Sequence, residues 1–78
     1  MKIIDVSDKY SYSINHIPNS INIPYETLMN NYRTYLNKNE SYYIYCKSGK
    51  LSKRAVAVLS VLGYKVYYLE KWQIIYYN

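Results

Sequence analysis

The sequence predicts an α/β domain, a small and largely parallel β-sheet flanked by helices. Three observations lead there. Short β-branched and aromatic runs at Lys2–Val6, Ser20–Ile23, Tyr42–Tyr45 and Lys65–Leu69 read as strands. Two segments of helical period, Tyr25–Leu36 and Ser52–Leu62, lie between the later ones. The resulting order, β, β, α, β, α, β, favours parallel strands with helices covering both faces. With 78 residues the chain is one domain at most, expected over 1–78, with a small core.

Each element has its own signal. Ser7 and Asp8 end the first run, and Asp8 to Ile14 is a polar stretch that reads as a turn or one helical turn. Pro18 and Pro24 bracket the second strand. Tyr25, Leu28, Met29, Tyr32 and Leu36 share one helix face, so one continuous helix is expected until Asn37 to Glu40 ends it. Ala55, Val58, Leu59 and Leu62 form the inner face of the second helix, and Gly63 stands at its C′ position, where a left-handed backbone suits glycine. Glu70 to Asn78 reads as a helical turn or a frayed end.

Ten Lys/Arg against five Asp/Glu give a net charge of +5, which favours anionic partners. Thirteen tyrosines inflate the apolar fraction with side chains whose tips are polar. The single cysteine excludes an internal disulfide and a metal site of several thiolates; no metal and no cofactor is expected. A lone thiol suits a reducing compartment, no run reaches the ~18 apolar residues of a membrane span, and the N-terminus lacks a signal-peptide core. A cytoplasmic protein with no membrane partner is the expectation.

The informative segment is Tyr42-Tyr43-Ile44-Tyr45-Cys46-Lys47-Ser48-Gly49-Lys50-Leu51-Ser52: a strand, a cysteine, a short loop and a helix. In a parallel α/β sheet, ligands sit beyond the carboxyl ends of the strands, where this cysteine falls. Amides and the dipole at the helix start favour a negative charge. Gly49 lets the loop curl into an anion-binding concavity. Lys47, Lys50, Lys53 and Arg54 add four cations within eight residues of Cys46. Each effect favours the thiolate, a nucleophile toward sulfur or toward phosphorus and arsenic oxyanions. Oxyanion chemistry of the C-x5-R type needs an Arg six residues after the Cys, and Ser52 stands there. The competing readings are an inert buried thiol at Cys46 and a solvated helix face for the cations.

Four ordered matches resemble the rhodanese domain family: Ile3-Ile4-Asp5-Val6; His16-Ile17-Pro18-Asn19-Ser20-Ile21-Asn22-Ile23-Pro24; Tyr45-Cys46-Lys47-Ser48-Gly49-Lys50-Leu51-Ser52; and Gly63-Tyr64-Lys65-Val66. The resemblance implies a rhodanese-like fold and a rhodanese-type (thiosulfate) sulfurtransferase. In such an enzyme Cys46 forms a persulfide and passes sulfane sulfur from thiosulfate or a protein persulfide to a thiophilic acceptor. It implies that Lys47, Ser48, Gly49, Lys50, Leu51 and Ser52 form the substrate- and anion-binding loop. The partners implied are a small anionic sulfur donor or a persulfide-bearing protein. The alternative is a catalytically weak rhodanese-like binding or regulatory module.

Departures from the family pattern favour that alternative. Leu51 stands where many bacterial members have Arg, and Ser7 replaces the Arg of the usual Asp-Val-Arg, removing a structural ion pair. Lys71-Trp72 occupy the positions of a Gly-Gly turn, and Tyr76 that of a Trp. The family's first strand and helix are missing, which leaves a sheet edge or face uncovered; homodimer pairing is one remedy and instability the alternative. His16 and Asp5 are expected to be structural, through local hydrogen bonds. Evenly spread tyrosines without an RNA-binding motif speak against a nucleic-acid partner.

Overall fold

The computed structural model describes residues 1–70. In chain order the elements are β1 (Lys2–Asp5), α1 (Lys9–Ile14), β2 (Ile21–Asn22), α2 (Tyr25–Asn30), α3 (Tyr32–Tyr35), β3 (Ser41–Tyr45), α4 (Lys50–Val61) and β4 (Lys65–Tyr68). The four strands form one parallel sheet in the order β2-β1-β3-β4. Ile4 lies beside Ile21 on one side and Ile44 on the other, and Ile44 beside Tyr68. The small parallel sheet with flanking helices is the architecture the sequence predicts. The tail positions of the family's Gly-Gly turn and Trp lie outside the described residues. Among the described residues, no helix is long and apolar enough to cross a membrane.

Strand alternation divides the apolar side chains between two faces. Ile4, Val6, Tyr42, Ile44 and Val66 join Leu28 of α2 and Ala55 and Leu59 of α4 in the main core. Ile3, Tyr45 and Leu69 point the other way and pack with Ile17 in a smaller cluster, with Tyr43 partly buried against it. Each fully buried Leu or Ile contributes ~1.5–3 kcal/mol by leaving water, so the first layer carries most of the stability.

Two helical expectations are corrected. The helix expected over Tyr25–Leu36 breaks at Asn31, whose backbone (φ −141°, ψ 32°) closes α2 and opens α3. The Asn31 amide side chain donates to the Thr27 carbonyl at 2.9 Å, a local bond that competes with helix continuation. The face is nevertheless as expected, since Leu28 and Leu36 are buried and Tyr25, Met29 and Tyr32 pack around them. In α4 the buried face is rotated: Ala55 and Leu59 are fully buried, but Val58 and Leu62 are exposed, and Ser52 takes an inner position instead. The helix starts two residues early, at Lys50. Its end is as expected: with Gly63 at φ +95°, the Tyr64 and Gly63 amides reach back to the carbonyls of Leu59 and Ser60, a Schellman closure.

Candidate active site

β1 and β3 are neighbours, yet the chain leaves β1 toward β2 and leaves β3 toward β4. Their carboxyl ends therefore flank a topological switch point, where a crevice opens in parallel sheets. The crevice is a concavity of about 200 Å³. One wall is Ser7, Asp8 and Ser11 from the segment after β1, and the other is Cys46, Lys47, Ser48 and Leu51 from the segment after β3.

Cys46 forms the floor. It is only 4% exposed, and what is exposed faces the concavity. The Ser52 amide donates to Cys46 Sγ at 3.4 Å, Ser52 Oγ lies 3.5 Å from the sulfur, and Ser48 Oγ lies 3.8 Å away. Burial pushes the thiol pKa up. The hydroxyl and amide of Ser52, the Ser48 hydroxyl and the Gly49 amide outweigh it, so that the net value lies below that of an ordinary thiol. The thiol donates to Ser52 Oγ while the Ser52 hydroxyl donates to the Gly49 carbonyl; a thiolate accepts from the Ser52 amide, and from the hydroxyl once that proton turns from Gly49 to the sulfur.

The loop is built around Gly49, the N-cap of α4, at φ +81°. Its amide donates to the Cys46 carbonyl at 3.3 Å, and its carbonyl accepts from Ser52 Oγ at 3.1 Å and from the Lys53 amide at 3.1 Å. The backbone conformation favours glycine, and a Cβ there would meet the Tyr68 hydroxyl at 2.6 Å and displace the tip of that ring. The Lys50 amide donates to Ser48 Oγ at 3.3 Å, which tightens the same turn.

Of the four cations, only Lys47 lines the concavity, and its Nζ donates to the Ser11 carbonyl at 2.9 Å, tying the loop to α1. Lys50 and Arg54 are exposed, and Lys53 Nζ lies 5.2 Å from the centre of the Tyr68 ring. The leading causes of the lowered thiol pKa are hydrogen bonds from Ser52 and Ser48, both in the expected anion-binding loop, where the sequence pointed to amides and cations and not to these hydroxyls.

The wall after β1 was not read from the sequence as part of the site. Asp8 caps α1, with the Ser11 amide donating to Oδ1 at 2.9 Å and the Ser11 hydroxyl to Oδ2 at 2.8 Å. An Asp three residues before a Ser was the available signal. His16 is held by Tyr12: its Nδ1–H donates to the Tyr12 carbonyl at 2.8 Å, and the two rings stack at 3.9 Å. Asp5 is fully buried, and its Oδ1 accepts from the Ser7 amide at 2.8 Å. Its Oδ2 has no partner among the described residues, in a chain where Ser7 stands in place of the Arg of the Asp-Val-Arg pattern.

The family model described as Rhodanese-like domain matches residues 1–71. The chain is 40% identical over 63 residues to "Adenylyltransferase and sulfurtransferase uba4" of Ogataea parapolymorpha; the match takes in 81% of this chain and 16% of that protein. The chain thus spans about one sixth of the length of this curated relative. Among solved structures, a rhodanese-related protein from Thermoplasma volcanium superposes with a TM-score of 0.81 at 32% identity, over 88% of this chain and 68% of that one. A rhodanese-like domain protein from Staphylococcus aureus gives a TM-score of 0.74 at 35% identity, over 83% and 63%.

Proposed function

The chain belongs to the rhodanese-like domain family, and from that premise we propose that it is a sulfurtransferase working through a persulfide on Cys46. What carries this reading is the sulfur of Cys46, seated at the base of the switch-point crevice with the Ser52 amide donating to it. The Cys46 thiolate attacks the sulfane sulfur of a donor. A new S–S bond forms on Cys46, the donor's own S–S bond breaks, and the leaving group, sulfite from thiosulfate or a thiolate from a persulfide, departs with the electron pair. A thiophilic acceptor then attacks the outer sulfur, takes it, and returns Cys46 as thiolate. The negative charge stays within reach of the same donors throughout, which lowers the barrier for both steps. Ser48, Gly49 and Ser52 hold the sulfur. Lys47 fixes the loop against α1, Lys50 adds positive charge at the rim, and Leu51 closes one wall.

Incubation with thiosulfate or a peptide persulfide, followed by intact-mass measurement, should add one sulfur atom to the protein, removable by a reductant and absent from Cys46→Ala. No adduct from any donor would overturn this reading. A cyanide-acceptor assay separates an active enzyme from a weakly active binding module: Cys46-dependent thiocyanate production at steady turnover supports the enzyme, and loading without turnover supports the module.

A further inference from the structure

We propose that the exposed face of α4 beside the crevice is a docking surface for an acidic protein segment that delivers a persulfide to Cys46, an inference that rests on the persulfide reading above. Lys50, Lys53 and Arg54 stand at i, i+3 and i+4, so one helix face presents all three. All are exposed, and none is paired with a carboxylate among the described residues. Lys53 is held in place over the Tyr68 ring.

The charge pattern of this first turn runs against the preferences for starting a helix. Positive charges face the positive end of the dipole. Like charges three and four residues apart repel. The turn contains no acidic residue, and Gly49 supplies no side-chain cap. A sequence that accepts all of these in one turn retains the charges for something outside the chain.

The crevice differs from its rim. Its two charged lining residues are Asp8 and Lys47, of opposite sign, and the Lys47 ammonium is bound to the Ser11 carbonyl. About 200 Å³ is less than the roughly 300–1,000 Å³ of a small-molecule site. It admits a terminal sulfur and the atoms next to it, and none of the three cations lines it. A donor that uses both places its sulfur inside and its carboxylates outside. The exposed stripe continues along α4 to Ala57 and to Val61, which is 88% exposed. A nucleic-acid backbone would leave that apolar end unmet, whereas a protein segment can cover both halves. In the transfer, the Cys46 thiolate attacks the outer sulfur of the partner's persulfide. The Cys46 S–S bond forms as the partner's S–S bond breaks, the partner's thiolate leaves with the electron pair, and the proton on the outer sulfur travels with it.

The test uses two short peptide persulfides that differ only in Glu against Gln at positions flanking the cysteine. Loading of Cys46 by the Glu peptide should be about tenfold faster at low salt, and the advantage should vanish at high salt. The double variant Lys53→Gln/Arg54→Gln should lose most of that advantage, with loading by the Gln peptide unchanged. Serine analogues of both peptides, bound to the Cys46→Ser protein and followed by fluorescence anisotropy, read docking without transfer. Tighter, salt-sensitive binding of the Glu analogue that depends on Lys53 and Arg54 supports the surface, even if no donor loads Cys46 and the persulfide reading falls. Equal loading and equal binding of the two peptides overturn the surface and leave the persulfide reading intact. Tighter binding of a single-stranded oligonucleotide than of the Glu analogue through the same residues overturns the choice of a protein partner.

Discussion

Ser52 reaches Cys46 twice, with its amide nitrogen 3.4 Å and its hydroxyl oxygen 3.5 Å from Sγ. The amide contact belongs to the backbone and survives substitution; the hydroxyl contact does not. The hydroxyl is also the largest cause that lowers the thiol pKa against burial. Alkylation of Cys46 by iodoacetamide, followed against pH, should show a midpoint below that of an ordinary thiol. Ser52→Ala should move that midpoint upward. The same variant removes the hydrogen bond to the Gly49 carbonyl and should lower stability by about 1 kcal/mol in urea denaturation. An unmoved midpoint would show that the hydroxyl does not stabilise the thiolate.

Gly49→Ala meets two obstacles. The left-handed backbone costs a non-glycine residue ~1–2 kcal/mol, and the added methyl collides with the Tyr68 hydroxyl. The loss in unfolding free energy should exceed the conformational cost alone. Combining it with Tyr68→Ala removes the collision and leaves the backbone strain, so the two changes should be less than additive in a double-mutant cycle. Strict additivity would mean that the tyrosine and the glycine are not coupled.

Leu59 and Val61 lie two residues apart on α4 and make a contrasting pair. Leu59 is fully buried between sheet and helix, so Leu59→Ala should cost about 2–5 kcal/mol. Against the ~5–15 kcal/mol typical of a domain, that leaves little folded protein at elevated temperature. Val61→Ala, at an exposed position, should change stability by no more than about 0.5 kcal/mol. Thermal melts of both variants followed by circular dichroism check the ordering.

The Asp8 carboxylate is lowered in pKa by the amide and then the hydroxyl of Ser11. Its folded value is thus below its unfolded value, near 3.9. The stabilisation it provides is complete above the unfolded value and disappears as pH falls through the folded one. Asp8→Asn keeps a capping oxygen but removes the charge. It should melt at a lower temperature than the parent at neutral pH, and the difference should close in acid. A gap that stays constant with pH would show that the charge contributes nothing to the cap.

The strands and the main helices were legible because their signals are local: β-branched runs bounded by Pro18, Pro24 and Asp8, and apolar residues at helical spacing. Gly63 was legible for the same reason. The break at Asn31 was not, because it turns on a side-chain bond to Thr27 that apolar periodicity does not register. Around Cys46, the strand–loop–helix context could be read directly, but the hydrogen-bonding partners could not. Ser52 lies inside because it shares the i, i+3, i+7 face with Ala55 and Leu59. Counting apolar residues instead placed Val58 and Leu62 inward. The wall made by Ser7, Asp8 and Ser11 stayed hidden because it depends on strand order, which only tertiary pairing reveals.

The two walls of the crevice come from stretches of chain more than thirty positions apart, one ending at residue 11 and the other beginning at residue 46. The groups that lower the thiol pKa all belong to the second stretch. Side-chain substitutions in the first stretch can therefore reshape the crevice while keeping both the hydrogen bonds to Cys46 and the backbone carbonyl of Ser11 that holds Lys47. If the crevice receives the sulfur donor as proposed, variants at Ser7, Asp8 and Ser11 should change which donor is admitted and leave the pH midpoint of Cys46 alkylation in place.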